Sequence, residues 1–445
     1  MTASALAGLA VLEIPGPMTA YAGKLLADMG ADVTLVEPPG GCAARQEEAF
    51  PDMEWRFGDS LTFKYLNTNK RSLTLDLTSA TGQQTGRELA GRAAVLLEDR
   101  APGAMAALGL GYEALAGQNP ALAYVSISPF GQDGPYASFA ASDLTLLALG
   151  GLLYLGGYSD GAPMRAAGNQ ALLAAGQFAA VAALIAVLEA EATGHGQHVD
   201  VSAQQCVVAA LETSAQYWDL EKVIRTRTSG VRTDPGSGIM PCADGHIYMT
   251  ARFGPTTAYW HRLVDWLIED GAPGAEALRD DRWTDPVFLK TEEARKRFAD
   301  ICLPFSMSRT RAQLYQAASR RQLPFSPINT PAEVVASEHL RARGYFVPAP
   351  DLPAGGGPAL IAGPPYHLTA TPWQLRHGAP GAGEHTAEVL ANLSTPVVAG
   401  FQPAREVVGG AARPLEGIRV ADFTWHGAGS FTTRLLADHG AEVIK

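Results

Sequence analysis

Side chains able to do chemistry are sparse in this chain and widely spread. Cys42, Cys206, Cys242 and Cys302 stand far apart with no CxxC pair, a spacing that fits reduced thiols in the cytoplasm and argues against a metal site. His246 lies beside a turn glycine, where a structural role is expected. Lys70 and Arg71 are adjacent cations in a loop and, read alone, are solvated charges. The densest stretch is residues 163–202. No GxGxxG follows the first strand, so neither a nicotinamide nor a flavin fingerprint is predicted.

The elements that must carry these residues read as α/β. Residues 6–35 run strand, glycine turn, helix, strand, a βαβ opening that favours a parallel sheet with a right-handed crossover. Residues 171–190 are almost all apolar and rich in Ala, as in a helix packed on several faces. Glycines at 194 and 196 then supply a reversal into the strand His198-Val199-Asp200-Val201-Ser202. One helix is expected from there to about Lys222, then a Gly-rich linker and a small α/β domain over 235–325. At 445 residues, 47% hydrophobic and 18% charged, the chain is an ordinary globular protein of two or three domain-sized units. A net charge of −11 argues against a nucleic-acid surface, and any polyanionic ligand must draw on a few local cations. The N-terminus has no basic residue ahead of its apolar part and reads as a strand, not a signal peptide. Residues 144–155 are too short and Gly-broken to cross a membrane, and the helix from Ala171 carries Gln177, Glu189 and Glu191, so both are expected in the core.

Several motifs carry a resemblance. Pro163, Arg165, Gly176, Thr193, Gly194, Gly196, Gln197 and the run from Val199 to Ser202 fall without a gap on a pattern of the family III CoA-transferases, the carnitine- and formyl-CoA-transferase group, which includes the α-methylacyl-CoA racemases. Asn67-Thr68-Asn69-Lys70-Arg71-Ser72 resembles the family's N-x-N-K-R-S, the loop after Glu98 its E-N-F-R-P-G-x-M-x-R-L-G-L-G-Y, and residues 124–135 its S-I-S-x-F-G-Q-x-G-P. His339, Gly344 and Gly383-Glu384-His385-Thr386 fall on its return segment, where both histidines read as structural markers. The resemblance implies a Rossmann-like large domain formed by 1–210 and 330–400 around the smaller one. It also implies CoA transfer between an acyl-CoA and a carboxylic acid, with coenzyme A as substrate, no metal, and an interlocked dimer with a second copy.

By the same resemblance, positions expected to touch CoA are Arg45, Asn69, Lys70, Arg71, Leu75, Asp99 and Arg100, with Lys70 and Arg71 supplying charge for phosphates. The departures fall on the chemistry. The family's nucleophilic Asp falls on Leu172, so no catalytic residue is assigned to this copy. Asp99 stands for an Asn, Arg100 and Ala101 for an aromatic and basic pair, and Ala107 for an Arg. Ser142, ahead of Asp143, occupies the position of the racemase His, so both halves of the racemase acid–base pair are missing. Residues 251–257 lack the glycine run of formyl-CoA transferases.

A linker over 401–414 precedes an internal repeat. Leu415, Gly417 and Val420 match Leu6, Gly8 and Val11, and Leu435-Leu436-Ala437-Asp438 matches Leu25-Leu26-Ala27-Asp28. The expectation is a tandem of two copies, with 415–445 the start of the second and too short to complete a domain. A noncatalytic half that pairs with an active copy is the other reading kept open.

Overall fold

The computed structural model describes residues 4–47, 60–158, 160–211, 213–227, 235–252, 258–349, 359–393, 413–425 and 427–445. Most of the linker at 401–414 and most of the segment at 251–257 fall outside these. Two compact units form: 1–151, 167–212 and 344–445 make the first, and 152–166 with 213–343 the second.

The first unit is built on β1 (Ala10–Glu13), β2 (Asp32–Glu37), β3 (Arg71–Thr74), β4 (Val95–Glu98), β5 (Ala123–Ser128) and β6 (His198–Ser202). They form one parallel sheet in the order β3-β2-β1-β4-β5-β6, the Rossmann-like arrangement expected. β4 and β5 are buried at every position, as strands covered on both faces require. Helix α1 (Thr19–Asp28) crosses from β1 to β2 and buries Leu26 and Ala27 completely. The stretch at 144–155 forms α2 (Asp143–Leu149) and a second short helix, and the Ala-rich run forms α3 (Gln170–Thr193).

Helix α3 is long and apolar enough to cross a membrane, but Ala171, Ala175, Ala179 and Ala183 are fully buried and it packs against α1 and β5. Gly176 lets it come close: an added Cβ would lie 2.9 Å from Tyr21 Cβ and 3.1 Å from the Ala22 nitrogen. The single helix expected after Ser202 is two, Ala203–Ala209 and Ser214–Glu221, and the chain passes to the second unit between them.

In the second unit β7 (Ser237–Cys242) and β8 (Gly245–Thr250) form the expected hairpin, with β9 (Phe325–Pro327) antiparallel beside β8. Helices α4 (Ala258–Glu269), α5 (Glu292–Met307) and α6 (Arg311–Arg320) close a core around Trp260, Trp266, Trp283 and Phe298. Two boundaries differ from the sequence reading. Residues 152–166 join this unit because the Arg227 guanidinium donates to the carbonyls of Tyr154, Tyr158 and Gly161 at 3.0–3.2 Å. Helix α7 (Pro331–Val335) joins it through Glu333, which pairs with Arg311 at 2.6 Å. The return segment therefore starts at Gly344.

That segment holds a short hairpin of β10 (Phe346–Pro348) and β11 (Leu360–Ala362), then α8 (Thr386–Asn392). Residues 415–445 fold as β12 (Arg419–Ala421), α9 (Ala428–Asp438) and β13 (Glu442–Ile444), a parallel pair of strands in a sheet of their own.

Candidate functional site at the carboxyl edge of the parallel sheet

The carboxyl ends of the parallel strands gather an unusual load of buried charge. Glu13 ends β1, Glu37 ends β2 and Glu98 ends β4, and all three are buried. The sequence reading passed over Glu13 and Glu37. Their signal was a carboxylate closing an otherwise apolar strand, which demands a partner in the interior.

The Asn67–Ser72 motif supplies those partners. Lys70 is fully buried and sets its ammonium 2.8 Å from Glu13 Oε2, donating also to the Ala20 carbonyl and to Asn67 Oδ1. It is therefore not a solvated loop cation. Burial pushes the Glu13 carboxyl up to about 7 against the pull of Lys70, and burial likewise lowers the Lys70 ammonium. Arg71 pairs with Asp32 and with Glu388 of α8. Asn69 has a left-handed backbone, φ 64°. Its amide group donates to Asp28, which is paired with Lys24 at 2.9 Å, while its oxygen accepts the Arg376 backbone N–H at 2.7 Å.

The same motif fastens the return segment to the sheet. Ser72 Oγ accepts the Gly383 N–H at 2.8 Å and the Ser72 carbonyl the His385 N–H at 2.9 Å, and the Thr74 N–H donates to Thr386 Oγ1 at 3.0 Å. His385 thus keeps a structural position. Arg45 is spent as well. It forks onto Glu37 with two bonds of 2.6 and 2.7 Å and stacks over Phe63. Burial would raise Glu37, but the bonds from Arg45, Ser72 and the Cys42 amide hold it below the usual carboxylate range.

Leu75 is half-buried against the core beside β3. Asp99, the residue after β4, turns toward the loop that follows β1, where its Oδ2 accepts the Met18 N–H at 3.0 Å. Burial raises its carboxyl, and the Met18 amide and Arg100 draw it back only in part. Arg100 is exposed and makes no ion pair among the described residues, and Ala107 is exposed too. Of the cations expected to touch CoA, Arg100 alone makes no ion pair among the described residues. Glu98 accepts the Arg100 N–H at 2.7 Å, and on the neighbouring strands Ser126 Oγ meets His198 Nε2 at 2.9 Å.

At the start of α3 the chemistry is equally clear. Leu172 is half-buried in the first turn and brings no oxygen. Asp143 caps that turn from α2: its Oδ1 accepts the amides of Ala171 at 2.8 Å and Leu172 at 3.3 Å. Asp143 Oδ2 is buried with no hydrogen-bond partner among the described residues. Ser142 caps its own helix through Thr145. No group of three His, Cys, Asp or Glu side chains among the described residues is arranged to hold a metal ion, and all four cysteines are free and buried.

Comparison with known proteins agrees with this geometry. The chain matches CoA-transferase family III over residues 6–386 and again over 415–445. It is 35% identical over 387 residues to the succinyl-CoA:(R)-benzylsuccinate CoA-transferase subunit BbsE of Thauera aromatica, covering 87% of this chain and 93% of that one. It is 32% identical to a succinate–glutarate CoA-transferase of Agrobacterium fabrum, covering 88% and 96%. A probable CoA-transferase of Mycobacterium tuberculosis is 31% identical, and there the match takes up 95% of this chain and 51% of the relative. Among solved structures, a CAIB/BAIF family protein from Brucella suis superposes with a TM-score of 0.76 at 26% identity, over 88% of this chain and all of that one. With a parallel sheet in Rossmann order, the N-x-N-K-R-S loop locked beneath it and a family match along nearly the whole length, this chain belongs to CoA-transferase family III.

Proposed function

We propose that this chain is one copy of a two-copy CoA-transferase that moves CoA between an acyl-CoA and a carboxylic acid, the acyl-accepting carboxylate coming from the other copy. In such a transfer a carboxylate oxygen bonds to the acyl carbon of the thioester and the C–S bond breaks, releasing the CoA thiolate and leaving a mixed anhydride. The observation that carries the reading is Leu172. It sits in the first turn of α3, at the place where the family pattern has Asp, and Asp143, the carboxylate that caps this turn, has an oxygen committed to the helix amides.

A two-copy arrangement is supported by the second family match at 415–445 and by the M. tuberculosis relative, of which this chain spans about half. The T. aromatica relative is itself a subunit, which favours the same arrangement. The second copy is a tandem partner or the other half of an interlocked dimer, working in the reducing cytoplasm that four unpaired thiols suit. A second reading, a noncatalytic scaffold half, is favoured by one observation: Arg45, Lys70 and Arg71 are all paired within the chain.

The test is to incubate the chain alone with acetyl-CoA or succinyl-CoA and a panel of carboxylic acids, adding hydroxylamine to trap any acyl-enzyme. No trapped acyl group and no turnover is the expected result, with transfer restored by an active second copy. A trapped acyl-enzyme overturns the reading and directs attention to Asp143.

A further inference from the structure

In a doubly wound sheet the ligand crevice opens where the strand order reverses, and the helix that starts there offers its free amides to an anion. Here that point lies between β1 and β4, and the chain fills it with a charge of its own. Asp99, leaving β4, lays its carboxylate across the loop leaving β1. Its Oδ2 accepts the Met18 N–H at 3.0 Å, and the amide of Thr19, the first residue of α1, also stabilises its charge. Gly16 is bare directly against it: a Cβ there would lie 1.8 Å from Asp99 Oδ1. Glu13 and Glu98 are buried beside it, the buried cation Lys70 faces Glu13, and the exposed Arg100 offsets the Asp99 charge only in part. The family pattern puts a neutral Asn where this chain has Asp99.

We propose that Asp99 is a built-in anion that closes the switch-point crevice of this copy against the pyrophosphate of CoA, leaving the nucleotide to the other copy. The proposal rests on the two-copy reading above and goes further, assigning one residue to the exclusion. An incoming pyrophosphate meets a carboxylate where it needs the Met18 and Thr19 amides. Asn in its place keeps the oxygen that accepts from Met18 and removes the charge.

The experiment is calorimetric titration of CoA, inorganic pyrophosphate and pantetheine into the full chain, as wild type, Asp99→Asn and Asp99→Ser. The expected result is that CoA and pyrophosphate bind both variants at least about ten-fold more tightly than wild type, with a gain that shrinks as salt rises. Pantetheine, which lacks the phosphates, shows no gain. Ser keeps the site small and polar and carries the test if the Asn variant melts early. Wild type binding CoA as tightly as the variants, or no binding by any of the three, overturns the proposal. These titrations read binding without acyl transfer. A trapped acyl-enzyme would therefore sink the two-copy reading without touching them, and equal affinities would sink the role of Asp99 without touching that reading.

Discussion

Residues 10–37 and 419–444 carry one strand–helix–strand pattern in two settings. In the first, β1 lies between β2 and β4, and Val11, Leu12 and Ile14 are 1%, 5% and 2% exposed. In the second, β12 has β13 as its only sheet partner among the described residues; the offset that places Val420 on Val11 places Phe423 on Ile14, and Phe423 is 95% exposed. Helix α1 buries eight of its residues, whereas α9 buries none. The i,i+4 pair Lys24–Asp28 is sealed in the interior, while its counterpart, Arg434–Asp438 at 3.4 Å, lies in solvent. The acids at the carboxyl ends of β1 and β12 diverge too. Burial drives Glu13 up to about 7, whereas the hydroxyl and amide of Thr424 hold Asp422 below the usual carboxylate range. Local pattern suffices to make a parallel βαβ unit twice; burial, and every electrostatic consequence of it, comes from the strands alongside.

The largest contrast is expected at the ion pairs. Lys70→Ala strands Glu13 in the interior and should cost about 3–5 kcal/mol in chemical denaturation, whereas Arg434→Ala should be too small to measure. Comparable losses would mean that α9 is packed as deeply as α1. Next, Ile14→Ala should cost about 2–5 kcal/mol, while Phe423→Ala leaves the denaturation midpoint in place. A large loss at Phe423 would show that its ring is covered in solution. The third contrast is in pH. Glu13 is raised on folding, so the native state holds the proton more tightly than the unfolded chain, and the stability this contributes is lost as pH rises through about 7. From pH 6 to pH 8 wild type should lose about 1 kcal/mol, and Glu13→Gln should flatten that slope. An unchanged slope would place the titration elsewhere. The smallest effect is kinetic: backbone amides of α9 should exchange with solvent faster than those of α1.

Much of the first unit was legible because its strands are short apolar runs between glycine-containing turns, and because the Gly176 motif has a simple steric meaning once α1 is packed against it. The fate of the cations was not. Nothing near Lys70 or Arg45 in sequence says that a carboxylate from β1 or β2 waits beneath it, since that pairing is made by the sheet. The position of residues 152–166 was hidden for the same reason, since the Arg227 guanidinium that holds them lies 66 to 73 residues away in sequence. Leu172 was legible because it breaks a family pattern that otherwise runs without a gap from Pro163 through Gly176 to Ser202. Asp99 was noticed as a departure, but its role depends on two loops that meet only at the reversal of strand order.

The fastening of β3 by the return segment has a consequence for synthesis. Asn69 and its partner Arg376 are 307 residues apart. At about 5–20 residues per second the ribosome takes roughly 15–60 seconds to close that gap, and in the interval the whole second unit emerges and can fold. Until then β3 is an open strand edge on a nascent chain, where pairing with another polypeptide competes with the native seam. The protein is thus expected to lean on chaperones early in translation, and to be released from them only when the segment around Gly383 arrives.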